Sequence, residues 1–165
     1  MKKLSWFLVL LMVLALPAQG VWAETADTQT PYLPAEYTAE FEKAVAALQA
    51  HAPDAAVDYS VRERDDSRYE WDLFFVLNEQ LGVCEVSETD FSVHRVQLYE
   101  LPEGALTASQ VVEALAQEKG DILIVELELD LDDDRLRYEG TAKKGEKDYE
   151  FTLAIDGKLI EWERD

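Results

Sequence analysis

Three side chains could supply a nucleophile or a base: Cys84, His51 and His94. A thiol attacks when a neighbouring imidazole takes its proton, so Cys84 with either histidine is the pair that chemistry would need. The surrounding sequence points elsewhere. Cys84 stands in a period-two stretch, Gly82, Cys84 and Val86, on the side that reads as inward, and free cysteine is among the most buried residue types. His51 closes a helical run, where an imidazole meets free carbonyls or the negative helix end. His94 lies in a strand-like run with apolar neighbours. All three are expected to be structural. His-Glu-x-x-His, Gly-x-Ser-x-Gly and the phosphate-cradling glycine loop are absent from the sequence, which holds seven glycines in all. No catalytic residue is expected.

Carboxylates are plentiful, and abundance makes them uninformative. Asp130-Leu131-Asp132-Asp133-Asp134 could suggest calcium, but an EF-hand loop wants Gly at its sixth position and Glu at its twelfth. Arg135 and Thr141 stand there. A solvated hairpin turn explains the acids, so no metal and no cofactor is expected. Glu126 and Glu128 fall on one wet strand face, which is the ordinary place for charge.

The elements that would position these groups begin with an export signal. Lys2 and Lys3 precede an apolar run from Leu4 to Leu16, and Pro17 and Gly20 break it before Val21-Trp22-Ala23. Charge, apolar core and small residues in that order mark a secretory signal, expected to span residues 1–23 with cleavage after Ala23. The apolar run is short of the roughly 18–20 residues that span a bilayer, so no stable membrane anchor is expected once the signal is removed. The exported chain would be periplasmic, at the cell surface or secreted. The full chain of 165 residues carries a formal charge of −20, and the signal removes two lysines and no acid. So negative a chain has no basic stripe to displace counterions from phosphate, and nucleic acid is excluded as a partner. One cysteine gives no internal disulfide, so the fold must hold by packing. Residues 24–35, polar with two prolines, read as a flexible lead-in.

The remainder repeats a pattern. Thr38-Ala39 opens a run with Phe41, Ala44, Val45 and Leu48 on one helical face. Thr107-Ala108 opens another with Val111, Val112, Leu115 and Ala116, Thr107 and Gln110 forming a capping box and Gly120 closing it. After each helix the period becomes two. Leu123, Val125, Leu127, Leu129 and Leu131 alternate with acids. Leu136, Tyr138 and Ala142 follow, then Tyr149, Phe151, Leu153 and Ile155, then Ile160 and Trp162, all joined by short turns. Short turns force antiparallel neighbours. In the first half Val57–Val61, Tyr69–Phe75, Gly82–Val86 and Val93–Tyr99 repeat this at an offset of 69, which sets Cys84 opposite Leu153. At that offset Val57 meets Glu126, so a bulge or gap is required in the first strand. The fold class is α+β: two tandem repeats, residues 36–101 and 102–165, each a helix with a four-stranded antiparallel meander.

From Thr107 to Glu163 the sequence resembles the PepSY domain. The residues that carry the resemblance are Ala114-Leu115-Ala116 in the opening helix, the acidic strand Glu126 to Leu131, and Tyr138-Glu139. Tyr149-Glu150-Phe151 and Ile155-Asp156-Gly157 running into Leu159-Ile160 complete it. Gly140-Thr141 departs from the apolar residue usual after the Tyr-Glu pair, and the turn after Asp156 is short. The first half keeps the longer turn, with Phe91 where Gly is usual. Together the halves look like a tandem pair, similar at fold level to secreted β-lactamase-inhibitory proteins. The resemblance implies a non-catalytic regulatory module of the envelope or its surroundings, and a family proposed to inhibit peptidases. The implied partner is an extracytoplasmic protein such as a peptidase. The rivals are an envelope structural or sensory module with no peptidase partner, and an unrecognised hydrolase.

Partner recognition then falls to an exposed sheet face. The first repeat's outward face is expected to show Arg62, Arg64, Arg68, Phe74 and Val76, joined by Tyr99, and arginine with aromatic residues is what binding hot spots favour. The competing reading has Phe74 and Val76 covered by the other repeat or by residues 24–35.

Overall fold

The computed structural model describes residues 38–165 apart from 66, 67 and 133. The expected signal peptide and lead-in lie outside the described residues. Each half is a helix followed by a meander. In the first, α1 (Thr38–His51) precedes β1 (Ala56–Asp65), β2 (Arg68–Leu77), β3 (Gln80–Ser87) and β4 (Val93–Glu100). In the second, α2 (Ala108–Lys119) precedes β5 (Leu123–Asp132), β6 (Arg135–Lys144), β7 (Lys147–Ala154) and β8 (Leu159–Arg164). Both sheets are antiparallel and run in chain order, β1-β2-β3-β4 and β5-β6-β7-β8.

The halves superpose in register at a step of 67 residues, not 69. The hairpin pair Asp65–Arg68 recurs as Asp132–Arg135, and Leu77–Gln80 as Lys144–Lys147. Cys84 therefore corresponds to Phe151, and Val57 to Ile124 rather than to Glu126. The mismatch that called for a bulge or gap in one half disappears at this step, yet a bulge stands at the same place in both halves, between Val57 and Tyr59 and between Ile124 and Glu126. It resets the strand phase, so Ile124, Leu127 and Leu129 are buried while Leu123 is exposed; Leu131 shares the phase of Leu127 and Leu129 and is exposed at the hairpin end of the strand. A strict alternation from Leu123 to Leu131 had placed the two end leucines inward.

The first core lies between α1 and the inner face of the first sheet: Ala44, Leu48, Trp71, Leu73, Phe75, Cys84 and Val86. The second is larger, because it includes both halves. Val111, Val112 and Leu115 of α2 and the inner face of the second sheet (Leu127, Tyr138, Phe151, Leu153) pack with Tyr59, Val61, Phe74, Leu81 and Val83 from the outer face of the first sheet. The helix N-terminus is tied across the same junction. Asp58, the residue extruded by the β1 bulge, accepts hydrogen bonds from the Ser109 amide (2.8 Å), the Ser109 hydroxyl (2.8 Å) and the Thr107 hydroxyl (3.1 Å). A carboxylate is well placed against free N–H groups and the positive helix end. Thr107 N–H donates to Gln110 Oε1 at 3.0 Å, the Gln110 half of the expected capping box.

Candidate functional site

The residues that could do chemistry are kept apart. Cys84 is fully buried, and desolvation, then the charges of Glu85 and Asp72, push its thiol up to about 12. A thiol held protonated is a poor nucleophile. His51 shares a hydrogen bond with the Ala47 carbonyl at 3.0 Å. His94 is exposed, with Nδ1 3.2 Å from Glu70 and Nε2 3.2 Å from the Ser92 hydroxyl. Among the described residues no group of three His, Cys, Asp or Glu side chains is placed to hold a metal ion. In the acidic hairpin, Arg137 lies 3.5 Å from Asp130, 3.1 Å from Asp132 and 2.6 Å from Glu139, so a guanidinium occupies the centre of that charge.

The six residues expected to form one partner-facing patch are divided between the two faces of the first sheet. After the Val57–Tyr59 bulge the odd positions of β1 point to the second repeat, and Arg62 and Arg64 point to the α1 side. Arg62 stacks on Tyr69, 3.7 Å from the ring centroid, and bonds Glu88 at 2.7 Å. Phe74, on the opposite face, is 3% exposed and meets the Tyr138 ring at 6.5 Å. Val76 packs on the same core, as does Tyr99, whose hydroxyl donates to the Leu129 carbonyl at 3.2 Å. Phe74, Val76 and Tyr99 are thus the seam between repeats, and the competing reading, cover by the second repeat, is the one found. Arg64 and Arg68 are exposed.

Leu131 and Ile160 are the most exposed large apolar side chains, and two more, Val96 and Leu98, lie on one face of β4, an edge strand that α1 does not cover. The helix lies over β2 and β3. Val96 and Leu98, the neighbours of Cys84 and Gly82 on the α1 side, are 41% and 44% exposed. Among the described residues, no strand pairs with the outer edge of β4. Beside the helix-covered strands this leaves a shallow apolar groove floored by Val96 and Leu98 and bordered by the unpaired edge of β4.

The second repeat fills the same place. Trp162, which pairs with Phe151 as Val96 pairs with Cys84, stacks on Tyr149 (4.8 Å, 17°) under the Lys119 ammonium, 5.3 Å from its ring. Alternation alone marks Val96 and Leu98 as ordinary strand residues. The 67-residue step carries no signal here, because it sets Val96 against Glu163; the β7–β8 connection is one residue shorter, and only the strand pairing shows that Trp162 takes the place of Val96. On the outer face of the second sheet, Glu126, Glu128, Glu139, Glu150 and Glu161 surround a hollow of about 330 Å³.

Residues 105–164 match the family model described as peptidase propeptide and YPEB domain, PepSY. No curated protein matches the chain. Two solved structures are similar. One is a candidate lipoprotein from Clostridium difficile 630, at 16% identity over 76% of this chain and 92% of that one, with a TM-score of 0.42. The other is the C-terminal domain of Bacillus megaterium YpeB, at 16% identity over 81% of this chain and 66% of that one, with a TM-score of 0.36.

Proposed function

We propose that the chain, whose residues 105–164 match the PepSY family model, works outside the cytoplasm as a non-catalytic module that holds a partner protein, a peptidase in the first instance, at the β4 groove. The observation that carries the reading is the pair of exposed apolar side chains, Val96 and Leu98, on a sheet edge whose outer backbone groups pair with no described strand. An extended segment that adds to such an edge gains main-chain hydrogen bonds, and its alternate side chains enter the groove beside the helix. Peptidases present extended-chain binding clefts, so a module that occupies one strand of the cleft wall blocks substrate by occlusion, with no reactive group required. Cys84 is sealed and the histidines are engaged, which agrees with a role free of turnover.

The test is inhibition of representative secreted serine, cysteine, aspartic and metallo-peptidases by micromolar protein, repeated with the double variant Val96→Glu/Leu98→Glu after its fold has been checked by circular dichroism. Inhibition of at least one class, lost in the double variant, is expected. No inhibition of any class sinks the peptidase assignment. Inhibition unaltered in the variant removes the groove.

A further inference from the structure

β4 and β8 are the last strands of their sheets, and among the described residues neither has a neighbour on its outer side. β1 and β5, at the opposite ends, contact each other. Proteins guard open edges with charge, with bulges or with cover, because a bare edge pairs with another strand. β8 is guarded by charge, with Glu161, Glu163 and Arg164 in its regular stretch. β4 is not. From Arg95 to Glu100 it pairs with β3 without interruption, and Val96, Gln97, Leu98 and Tyr99 between those ends are uncharged.

The order of these residues shows which strand the edge fits. In an antiparallel ladder every second residue turns its N–H and C=O groups to one neighbour, and the residues between turn theirs to the other. A second copy of β4 brought up by a two-fold axis therefore pairs only where the axis falls on a residue, so that outward groups face outward groups. Axes on Gln97 and on Leu98 keep most of the Arg95–Glu100 stretch paired, and an axis on Val96 runs into the bulge at His94. The axis on Leu98 sets Val96 against a Glu100 carboxylate. The axis on Gln97 sets Val96 against Leu98 on the α1 side, Arg95 against Tyr99 on the outer face, and Gln97 against itself. Apolar meets apolar, a guanidinium meets a ring, and no charge meets its like.

The outer row is already ordered for such a contact. Arg95 is held by Glu85 at 2.8 Å, and Gln97 Oε1 accepts from the Tyr99 hydroxyl at 2.8 Å and from Arg95. The same construction fails on β8. An axis on Trp162 sets Glu161 against Glu163, and an axis on either glutamate sets it against its own copy.

We propose that β4 is a dimer edge: two copies of this chain pair antiparallel about an axis at Gln97 and join their four-stranded first sheets into one continuous sheet. The copy lays Val96 and Leu98 against their own kind and supplies partners to the open backbone. It takes the same edge as the groove proposed for a peptidase, so the dimer is the closed form of that groove and the two occupants exclude each other. Self-pairing needs nothing of a peptidase and is tested without one. Two chains of formal charge −20 repel, so the pair is reversible and is strengthened by salt, which screens that repulsion.

Sedimentation equilibrium of the purified protein at physiological salt, from micromolar to near-millimolar concentration, is expected to show monomer and dimer and nothing larger. Gln97→Glu and Gln97→Lys each set like charges face to face on the axis, and each alone is expected to raise the dissociation constant about fivefold. An equal mixture of the two sets opposite charges together and is expected to recover the wild-type affinity. A monomer throughout the range overturns the proposal and leaves the edge to a partner protein. Growth beyond the dimer also overturns it, since β4 meeting β8 would build an open chain of copies. So do single variants as tight as the wild type, or a mixture no tighter than its components. Should a Gln97 variant fail to fold, Val96→Glu and Leu98→Lys, at exposed positions, decide: weak alone and tight when mixed sustains the dimer, and weak in the mixture removes it.

Discussion

The two sheets have the same strand order, the same bulge and the same hairpin register, yet their outer faces are opposites. At the 67-residue step Tyr59, Val61, Phe74, Leu81 and Val83 become Glu126, Glu128, Thr141, Asp148 and Glu150. The first set is buried in the larger core, and the second is open to water or half-buried. A sheet face follows what covers it, and here the difference is position in the tandem. The second repeat lands on the first, and nothing among the described residues lands on the second. The grooves beside the helices differ in the reverse sense, closed by Trp162 in the second repeat and open over Val96 and Leu98 in the first. One repeat is thus specialised as a seat for its neighbour on one side and left with an unfilled edge on the other.

The sharpest way to break this contrast is at its centre. Phe74→Ala removes a ring packed between Tyr59 and Tyr138 and is expected to cost about 3–5 kcal/mol of stability. Thr141→Ala, at the same place in the second sheet, loses a half-buried hydroxyl bonded to Glu126 and is expected to cost about 1 kcal/mol. Urea midpoints of the two variants measure both. Equal costs would show that the first sheet's outer face is not the seam.

A second difference lies inside the two cores. Phe75 leans over Gly82 across the β2–β3 pair, and the same pair in the second repeat is Ala142 with Tyr149. The large side chain has changed strands and the volume is nearly kept, which cores tolerate well. A Cβ at Gly82 would collide with the Phe75 ring, so Gly82→Ala is expected to cost about 1–3 kcal/mol by overpacking. The double variant Phe75→Ala/Gly82→Tyr copies the second repeat. Recovery of part of that loss in its thermal midpoint would sharpen the correspondence, and a still lower midpoint would break it.

How much of this was legible in the sequence depends on whether the signal was local. Helices, meanders and turns were, because each rests on a period or a turn residue within a short window: Gly120 at the end of α2, the acids between β5 and β6. The inward position of Cys84 was legible for the same reason. The step of 67 was missed by two residues because α1, with 14 residues, is longer than α2, with 12, and matching Tyr69 to Tyr138 concealed that Trp71 is the true counterpart, both fully buried. That slip aligned Val57 with Glu126. The face of Arg62 was not legible either. A bulge reverses which residues share a side, and only the register locates it: Arg62 and Phe74, both even-numbered, point in opposite directions. Burial of Phe74 by another repeat is a tertiary fact with no local mark beyond its being apolar.

The smallest expected effects concern the two grooves, and they separate packing from recognition. Trp162 is half-buried between Tyr149 and Lys119, so Trp162→Ala should cost about 1–2 kcal/mol, part of the value of a fully buried aromatic side chain. Val96 and Leu98 have no such cover, and Val96→Thr with Leu98→Thr should alter stability by no more than about 0.5 kcal/mol, as read from urea midpoints. A loss as large as that of Trp162→Ala would mean that the β4 groove is already filled in the folded chain. Near neutrality would mean that these two side chains contribute little to the fold, and that an apolar edge so exposed has its use in what it meets.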